Sequence, residues 1–384
     1  MSRKIEKGSE LNIRRNVQLL LALGVFLVGR AALAGEFQQS ITLPMTLEYD
    51  SNPAMSVTDK KGVTRAILTP DYNLTTNYGI DEYKLGLGLR VERSSDQEIS
   101  VNRDDPSLSL GWQRQTEAGG FGLVAKYAEA STRFTELQES GLVQVDGTRT
   151  TYTVGGNWSK ALSERSTLAA DAEYKDVAYD GGGGTLIDFT NTSAGLTYSR
   201  VLNEHIEPFM RTTVSHYEPS SSALLSSSFN FVSVMGGVNW KLSENLDWTG
   251  QAGPTRISGQ TTDSGWQGSV ILHYLGRHHD ALLDVGRYVS ASGEGGFVEV
   301  DQVKGTWGYA IDELTRAGLE ASRRRNRSII PNTVQMYGVW ASRELSPFWH
   351  ARLSYQYKQR KQDGLDDATA NVLGVTLVYS LPNF

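Results

Sequence analysis

The sequence predicts an all-β protein, a transmembrane antiparallel up-and-down β-barrel, and three observations carry that prediction. One amphipathic strand-and-turn unit is written almost three times between residues 150 and 248. Short and long connections alternate along the whole chain. Beyond the first 34 residues no apolar run is long enough to cross a membrane as a helix.

The repeated unit is clearest where Tyr152, Val154, Gly156 and Trp158 alternate with Thr151, Thr153, Gly155 and Asn157. Period two puts one set of side chains on each face of a strand. The run closes in Ala161-Leu162-Ser163-Glu164. The same close follows Ala194, Leu196 and Tyr198 as Val201-Leu202-Asn203-Glu204, and follows Val234, Val238 and Trp240 as Lys241-Leu242-Ser243-Glu244. A long strand, a tight turn and a second long strand, repeated, is how an up-and-down barrel is encoded.

The chain starts with a different signal. Arg3, Lys4, Lys7, Arg14 and Arg15 precede an apolar stretch from Val17 to Val28, and Ala32-Leu33-Ala34 supplies the small residues a signal peptidase requires. Residues 1–34 are therefore read as a signal peptide and residues 35–384 as one barrel. The signal holds six basic and two acidic residues, so its removal takes the net charge from −6 to −10. That balance speaks against a nucleic-acid partner. With no cysteine, neither disulfides nor thiol chemistry enter. A mean hydropathy below zero excludes a helical membrane protein, but an alternating strand hides its lipid face from any average.

In order, the first strand alternates Ile41, Leu43, Met45, Leu47 and Tyr49 against Thr42, Thr46 and Glu48, and turns at Asp50-Ser51-Asn52-Pro53. A second spans 64–76. The third is the cleanest: Tyr83, Leu85, Leu87, Leu89 and Val91 face one way, and Lys84, Gly86, Gly88, Arg90 and Glu92 the other. Burying three such charges in a dry core would cost several kcal/mol, so the second face meets water and the first meets lipid. Further strands are expected at 106–115, 121–133, 167–179, 205–217, 246–255, 266–274, 281–291, 296–309, 316–325, 334–343, 348–359 and 371–381. With the repeats this makes about eighteen, with sixteen the nearest alternative. Short turns near Gly79, Ala118, Ser163, Asn203, Ser243, Arg277, Glu313 and Ser346 alternate with nine longer loops. An even count with short periplasmic turns places both termini in the periplasm and the barrel in the bacterial outer membrane. The terminal Phe384, after the alternating Leu373, Val375, Leu377 and Tyr379, resembles the C-terminal assembly signal read by the barrel insertion machinery.

Leu47-Glu48-Tyr49-Asp50-Ser51-Asn52-Pro53, the recurrent Leu-Ser/Asn-Glu turns and the terminal Phe together resemble the outer-membrane β-barrel porin family associated with bacterial exopolysaccharide systems. The resemblance implies a barrel that helps a polymer cross the outer membrane, with separate periplasmic polysaccharide-export proteins as partners. Uptake as a general or substrate-selective porin is the alternative.

On the inward face the alternation places Lys84, Arg90, Glu92, Lys126, Asp171, Glu173, Lys175, Arg211, Glu320, Arg324, Arg352 and Lys358 as pore-lining residues. Two readings stay open. These charges pair across neighbouring strands and solvate a wet lumen, or they form a transverse field that orders a permeating solute. Eighteen strands about 4.8 Å apart and tilted by about 40° enclose a cylinder roughly 35 Å across, leaving a bore on the order of 15–20 Å. Loops at 134–148, 180–188 and 218–229 are candidates to fold inward and narrow it.

Trp112, Trp158, Tyr198, Trp240 and Trp349, each beside a short turn, form an interfacial aromatic girdle. Arg323-Arg324-Arg325 with Arg327, Lys358, Arg360 and Lys361 form a basic patch toward the external rim, which either binds lipopolysaccharide phosphates or an anionic polymer or is solvated surface alone. A barrel hydrolase would need a rim histidine, and only His216 lies where such a site would sit. An enzyme is therefore not expected, nor a cofactor or metal. A structural or adhesive barrel is the third class.

Overall fold

The computed structural model describes residues 36–139, 146–181, 186–220, 227–260, 262–327 and 331–382. The signal peptide read at 1–34, the glycines at 182–184 and Phe384 lie outside the described residues. The strands are β1 (Glu36–Asp50), β2 (Val63–Leu68), β3 (Asp71–Tyr78), β4 (Asp81–Ser94), β5 (Arg103–Thr116), β6 (Gly119–Ser131), β7 (Gly147–Ser163), β8 (Ser166–Gly181), β9 (Phe189–Arg200) and β10 (Ile206–Pro219). They continue as β11 (Phe229–Ser243), β12 (Leu246–Ser258), β13 (Thr262–Leu275), β14 (His279–Ser292), β15 (Gly296–Ala310), β16 (Thr315–Asn326), β17 (Asn332–Ser346), β18 (Trp349–Gln362) and β19 (Ala368–Pro382). Among the described residues one helix, α1 (Thr132–Glu139), follows β6.

Apart from β2 and β3, each strand pairs antiparallel with the next, and β1 closes the ring on β19 from Ser40↔Pro382 to Asp50↔Val372. β2 and β3 are two halves of one barrel strand, since both pair with β1 on one side and β4 on the other. The break falls at Thr69-Pro70 because proline has no N–H for the ladder. Neighbours bridge it instead: Thr69 N–H donates to the Pro44 carbonyl (3.0 Å) and Leu89 N–H to that of Pro70 (3.1 Å). Counted as one, they make the protein a closed antiparallel barrel of eighteen strands.

The repeated turn motif has a local cause. Before three of the short turns the ladder skips a residue, at Ala161/Ser163, Lys241/Ser243 and Glu344/Ser346, and each skipped residue is a leucine. A bulge tightens the twist where a long hairpin must reverse. The serine that follows caps the turn, its hydroxyl accepting from Arg165 N–H, Asn245 N–H and Phe348 N–H respectively. Asn203 and Asp312 do the same with their side-chain oxygens, each accepting two main-chain N–H groups.

Contacts between non-adjacent strands identify the inside. Tyr217 on β10 packs on Phe297 of β15 (6.0 Å between ring centroids) and donates its hydroxyl to the Ser292 carbonyl (3.2 Å). Residues in phase with Tyr217 therefore face inward. On the opposite face Leu47, Leu123, Val154, Leu196, Met210, Leu319, Leu353 and Val375 are half exposed or more. An outer belt of bare aliphatic side chains around a closed ring is what a bilayer, not water, accommodates.

Candidate functional site

The connection after β6 runs inward. The Thr132 hydroxyl accepts from Gly147 N–H (2.9 Å) and the Ser131 hydroxyl donates to Asp146 Oδ1 (2.6 Å), so the excursion leaves and rejoins the wall at one point. Between them Thr-Arg-Phe-Thr-Glu-Leu-Gln-Glu, free of Gly and Pro, forms about two turns of helix. The strand read as far as residue 133 stops at Ser131, and the candidate plug at 134–148 contains most of α1.

Both sides of α1 are anchored. Glu136 Oε1 accepts from the Tyr179 hydroxyl (3.0 Å) and from Arg149 Nη1 (3.4 Å), and Glu139 Oε2 accepts from the same nitrogen at 2.7 Å. Arg149 and Glu136 are almost fully buried, where either charge alone would cost several kcal/mol, so each requires the other. Across the barrel Arg324 Nη1 donates to the Leu137 carbonyl (3.4 Å) while its Nε holds Gln302 Oε1 (3.1 Å). A cation there also meets the negative end of the helix dipole. β7, which carries Arg149, and β16, which carries Arg324, are nine places apart in the ring of eighteen. The helix thus spans the bore from wall to opposite wall.

Between Phe134 and Leu137 of α1 and the wall of β15 to β18 lies a cavity of ≈ 340 Å³. Its inward-phase polar side chains are Gln302, Lys304, Glu320, Ser322, Arg324, Gln356 and Lys358, three cations to one carboxylate, and Arg323 adds a fourth cation from the outward phase. At the helix start, Arg133 donates to the Ile99 carbonyl (2.6 Å) and lies 3.5 Å from Asp146. Burial pushes its guanidinium down from the ordinary value, and Asp146 opposes that.

A second narrowing sits at the long-loop end. The tip of the β14–β15 hairpin leans inward, where Ile187 N–H donates to the Gly293 carbonyl (2.8 Å) and Phe297 meets Phe231 and Tyr217. Val177, Phe189 and Tyr217 are completely buried beneath it.

The predicted inward charges fall into two groups. Lys84 bridges to Glu82 (2.7 Å), Arg90 to Glu92 (2.8 Å), Arg211 to Asp171 (2.9 Å) and Lys358 to Asp50 (3.4 Å). Arg352 instead stacks over Trp340 at 4.6 Å, and Arg324 and Glu320 flank the helix cavity. Lys175 lies within the field of Glu136 and Glu139, Glu173 is exposed in phase with it, and Lys126 is exposed opposite Thr153. The pairs interleave both signs around the wall. Acid and base are not segregated to opposite sides.

The basic patch read as one surface is divided by the wall. Arg324 turns inward to Leu137, whereas Arg323 and Arg325 sit opposite Val303 and Asp301 on the outer face. His216 is exposed, in phase with the outward Val214, and contacts Asn230 Oδ1 (2.8 Å). Among the described residues no three His, Asp or Glu side chains group to ligate a metal. Of the aromatic residues, Trp112 donates to Asp81 (2.9 Å), Tyr198 to Ser166 (3.3 Å), Trp240 meets Trp248 edge-on, and Trp349 packs on Tyr379. Trp158 pairs with Phe121 across β6–β7. Sequence reasoning missed Arg149, Gln302 and Lys304. Lys304 alternates in phase with Gln302 and was within reach of a period-two reading; Arg149 was not, because its partners lie on a helix.

No protein-family model matches the chain, and no curated protein sequence matches it. Solved structures share its architecture. OccAB4 of Acinetobacter baumannii is 10% identical, with a TM-score of 0.52 over 90% of this chain and 98% of that one. The fold is that of an outer-membrane β-barrel. OccK2 (OpdF) of Pseudomonas aeruginosa, crystallised with glucuronate, gives 8% identity and 0.52 over 90% and 98%. The chain spans only 62% of the longer FrpB iron transporter of Neisseria meningitidis, at 9% identity and a TM-score of 0.49 over 85% of this chain. The closed eighteen-strand ring and its apolar outer belt place the protein in the bacterial outer membrane.

Proposed function

We propose that the barrel is a substrate-selective diffusion channel for small anionic hydrophilic solutes. The observation that carries this reading is α1, held by Arg149 and Tyr179 on one wall and Arg324 on the other, with a net basic cavity beside it. A helix across the bore removes the open passage that eighteen strands would otherwise leave, and the passage that remains runs past Lys304, Arg324 and Lys358. Glucuronate, held by one barrel of the same fold, belongs to the solute class such a wall favours. The same helix weighs against the polymer conduit that the exopolysaccharide resemblance implied. In this reading the short turns and both termini face the periplasm, and the twelve inward charges line the path.

The test is a planar-bilayer recording of the purified barrel under a salt gradient. Lys304→Gln with Lys358→Gln is expected to shift the reversal potential toward cations and to weaken block by a sugar acid, while the protein still folds. A wild-type barrel that conducts nothing, or whose selectivity ignores these lysines, ends the proposal.

A further inference from the structure

The outer wall carries a charged feature the conduit does not use. The ladder between β13 and β14 stops at Gly268↔Arg287, although β13 runs on to Thr262 against β12 and β14 runs on to Ser292 against β15. Beyond that rung the facing edges do not pair with each other, and hydrocarbon cannot solvate main-chain polar groups. The split must therefore open at the level of the lipid headgroups. Height agrees: from Leu275 to Gly268 a tilted strand climbs about 20 Å, close to the top of an apolar band about 25 Å tall.

A cavity of ≈ 510 Å³ occupies the split. Its aliphatic lining is Ala252, Val270, Val285 and Val303, and its rim carries Arg287, Arg323 and Arg325. Arg287 lies over the Trp266 ring (4.5 Å), and Asp301 takes both Arg287 and Arg327 at 2.7 Å. Arg323 and Arg325 are exposed, line the same cavity, and pair with no carboxylate among the described residues. Four guanidiniums thus stand against two carboxylates, Asp301 and Glu299, whose Oε1 lies beside Gly265 on the unpaired β13 edge. In a headgroup layer such an excess calls for phosphate, which arginine binds bidentately.

We propose that this split is a lipid A site. Arg323 and Arg325 take a phosphate, Arg287 and Trp266 close over the sugar edge, and an acyl chain lies along the three valines. Two features select lipid A over another anionic lipid. The site is at the long-loop end, which faces the external leaflet, and its charge excess matches a headgroup carrying two phosphates rather than one.

The test titrates the purified barrel, in zwitterionic detergent, with bisphosphorylated lipid A, lipid A stripped of both phosphates, and phosphatidylglycerol, and counts bound lipid by native mass spectrometry. Arg323→Gln with Arg325→Gln is expected to weaken lipid A binding at least tenfold, with the heat-modifiable mobility of a folded barrel retained. Arg93→Gln, an exposed arginine bridged to Asp104 on β4 and β5, is expected to change nothing. Should the double variant fail to fold, Arg325→Gln alone carries the comparison. Unchanged binding by the folded variant, equal binding of dephosphorylated lipid A, or equal binding of phosphatidylglycerol each overturns the proposal.

Discussion

Arg324 and Leu137 are 187 positions apart, yet a guanidinium N–H of one holds the main-chain carbonyl of the other. That bond joins β16 to a helix rooted in β6 and β7, and with Arg149 it makes the span across the bore a two-ended clamp.

Releasing one end should widen the channel. A hydrogen bond to a charged group is worth about 1.5–3 kcal/mol, so Arg149→Gln should raise the population with α1 displaced by one to two orders of magnitude. Single-channel conductance should increase and its noise should grow. Conductance equal to wild type would mean that α1 does not gate the path.

The two faces of β4 should respond oppositely to substitution. Leu87 is 39% exposed on the outer face, and an arginine there costs on the order of 2–4 kcal/mol near the bilayer midplane. Gly88 faces inward, where the one tight contact of an added Cβ is with the Ser107 hydroxyl, a group free to rotate, and Asp71 Oδ2 lies at an ordinary 3.5 Å. Leu87→Arg should insert poorly into vesicles and Gly88→Ser should insert normally. Equal insertion yields would contradict the register.

Trp112, Trp158, Trp240 and Trp349 should lie in one layer, because each sits near a short turn and an indole ring prefers the headgroup boundary. Lipids brominated near the headgroup should quench these tryptophans more than lipids brominated at the chain end. Stronger quenching from the chain end would displace the girdle.

Asp312 supplies a pH test in a turn outside the membrane. Its carboxylate accepts the N–H groups of Leu314 and Thr315, and these bonds hold it below the usual carboxylate range. A carboxyl so depressed stabilises the fold fully above its ordinary pKa of about 3.9 and loses that contribution as pH falls through the lower folded value. Asp312→Asn keeps the acceptor oxygen and removes the titration. Urea midpoints of wild type and variant should therefore differ by a constant amount near neutrality and converge in acid. A gap that stays constant down to about pH 2 would show that the carboxyl is not depressed.

Eighteen strands, their turns and their two faces were legible in the sequence, since alternation at period two is local and a barrel has no crossovers to confuse it. Leu162, Leu242 and Leu345 even mark their bulges by recurring before the same capping serine. Parity alone also separates Arg324 from Arg323 and Arg325, although a run of three arginines reads at first as one patch. The tertiary structure alone decided what fills the bore. Thr132–Glu139 has no strand period and too few residues to announce a helix, and its place depends on Arg149, Tyr179 and Arg324, from 10 to 187 residues away. The split between β13 and β14 was likewise silent in sequence. Both strands alternate without interruption through Gly268 and Arg287, and they part where the β14–β15 tip leans inward onto Tyr217 and Phe231. Local periodicity sets which way each side chain points; only contacts between distant strands set how far the wall folds in on itself.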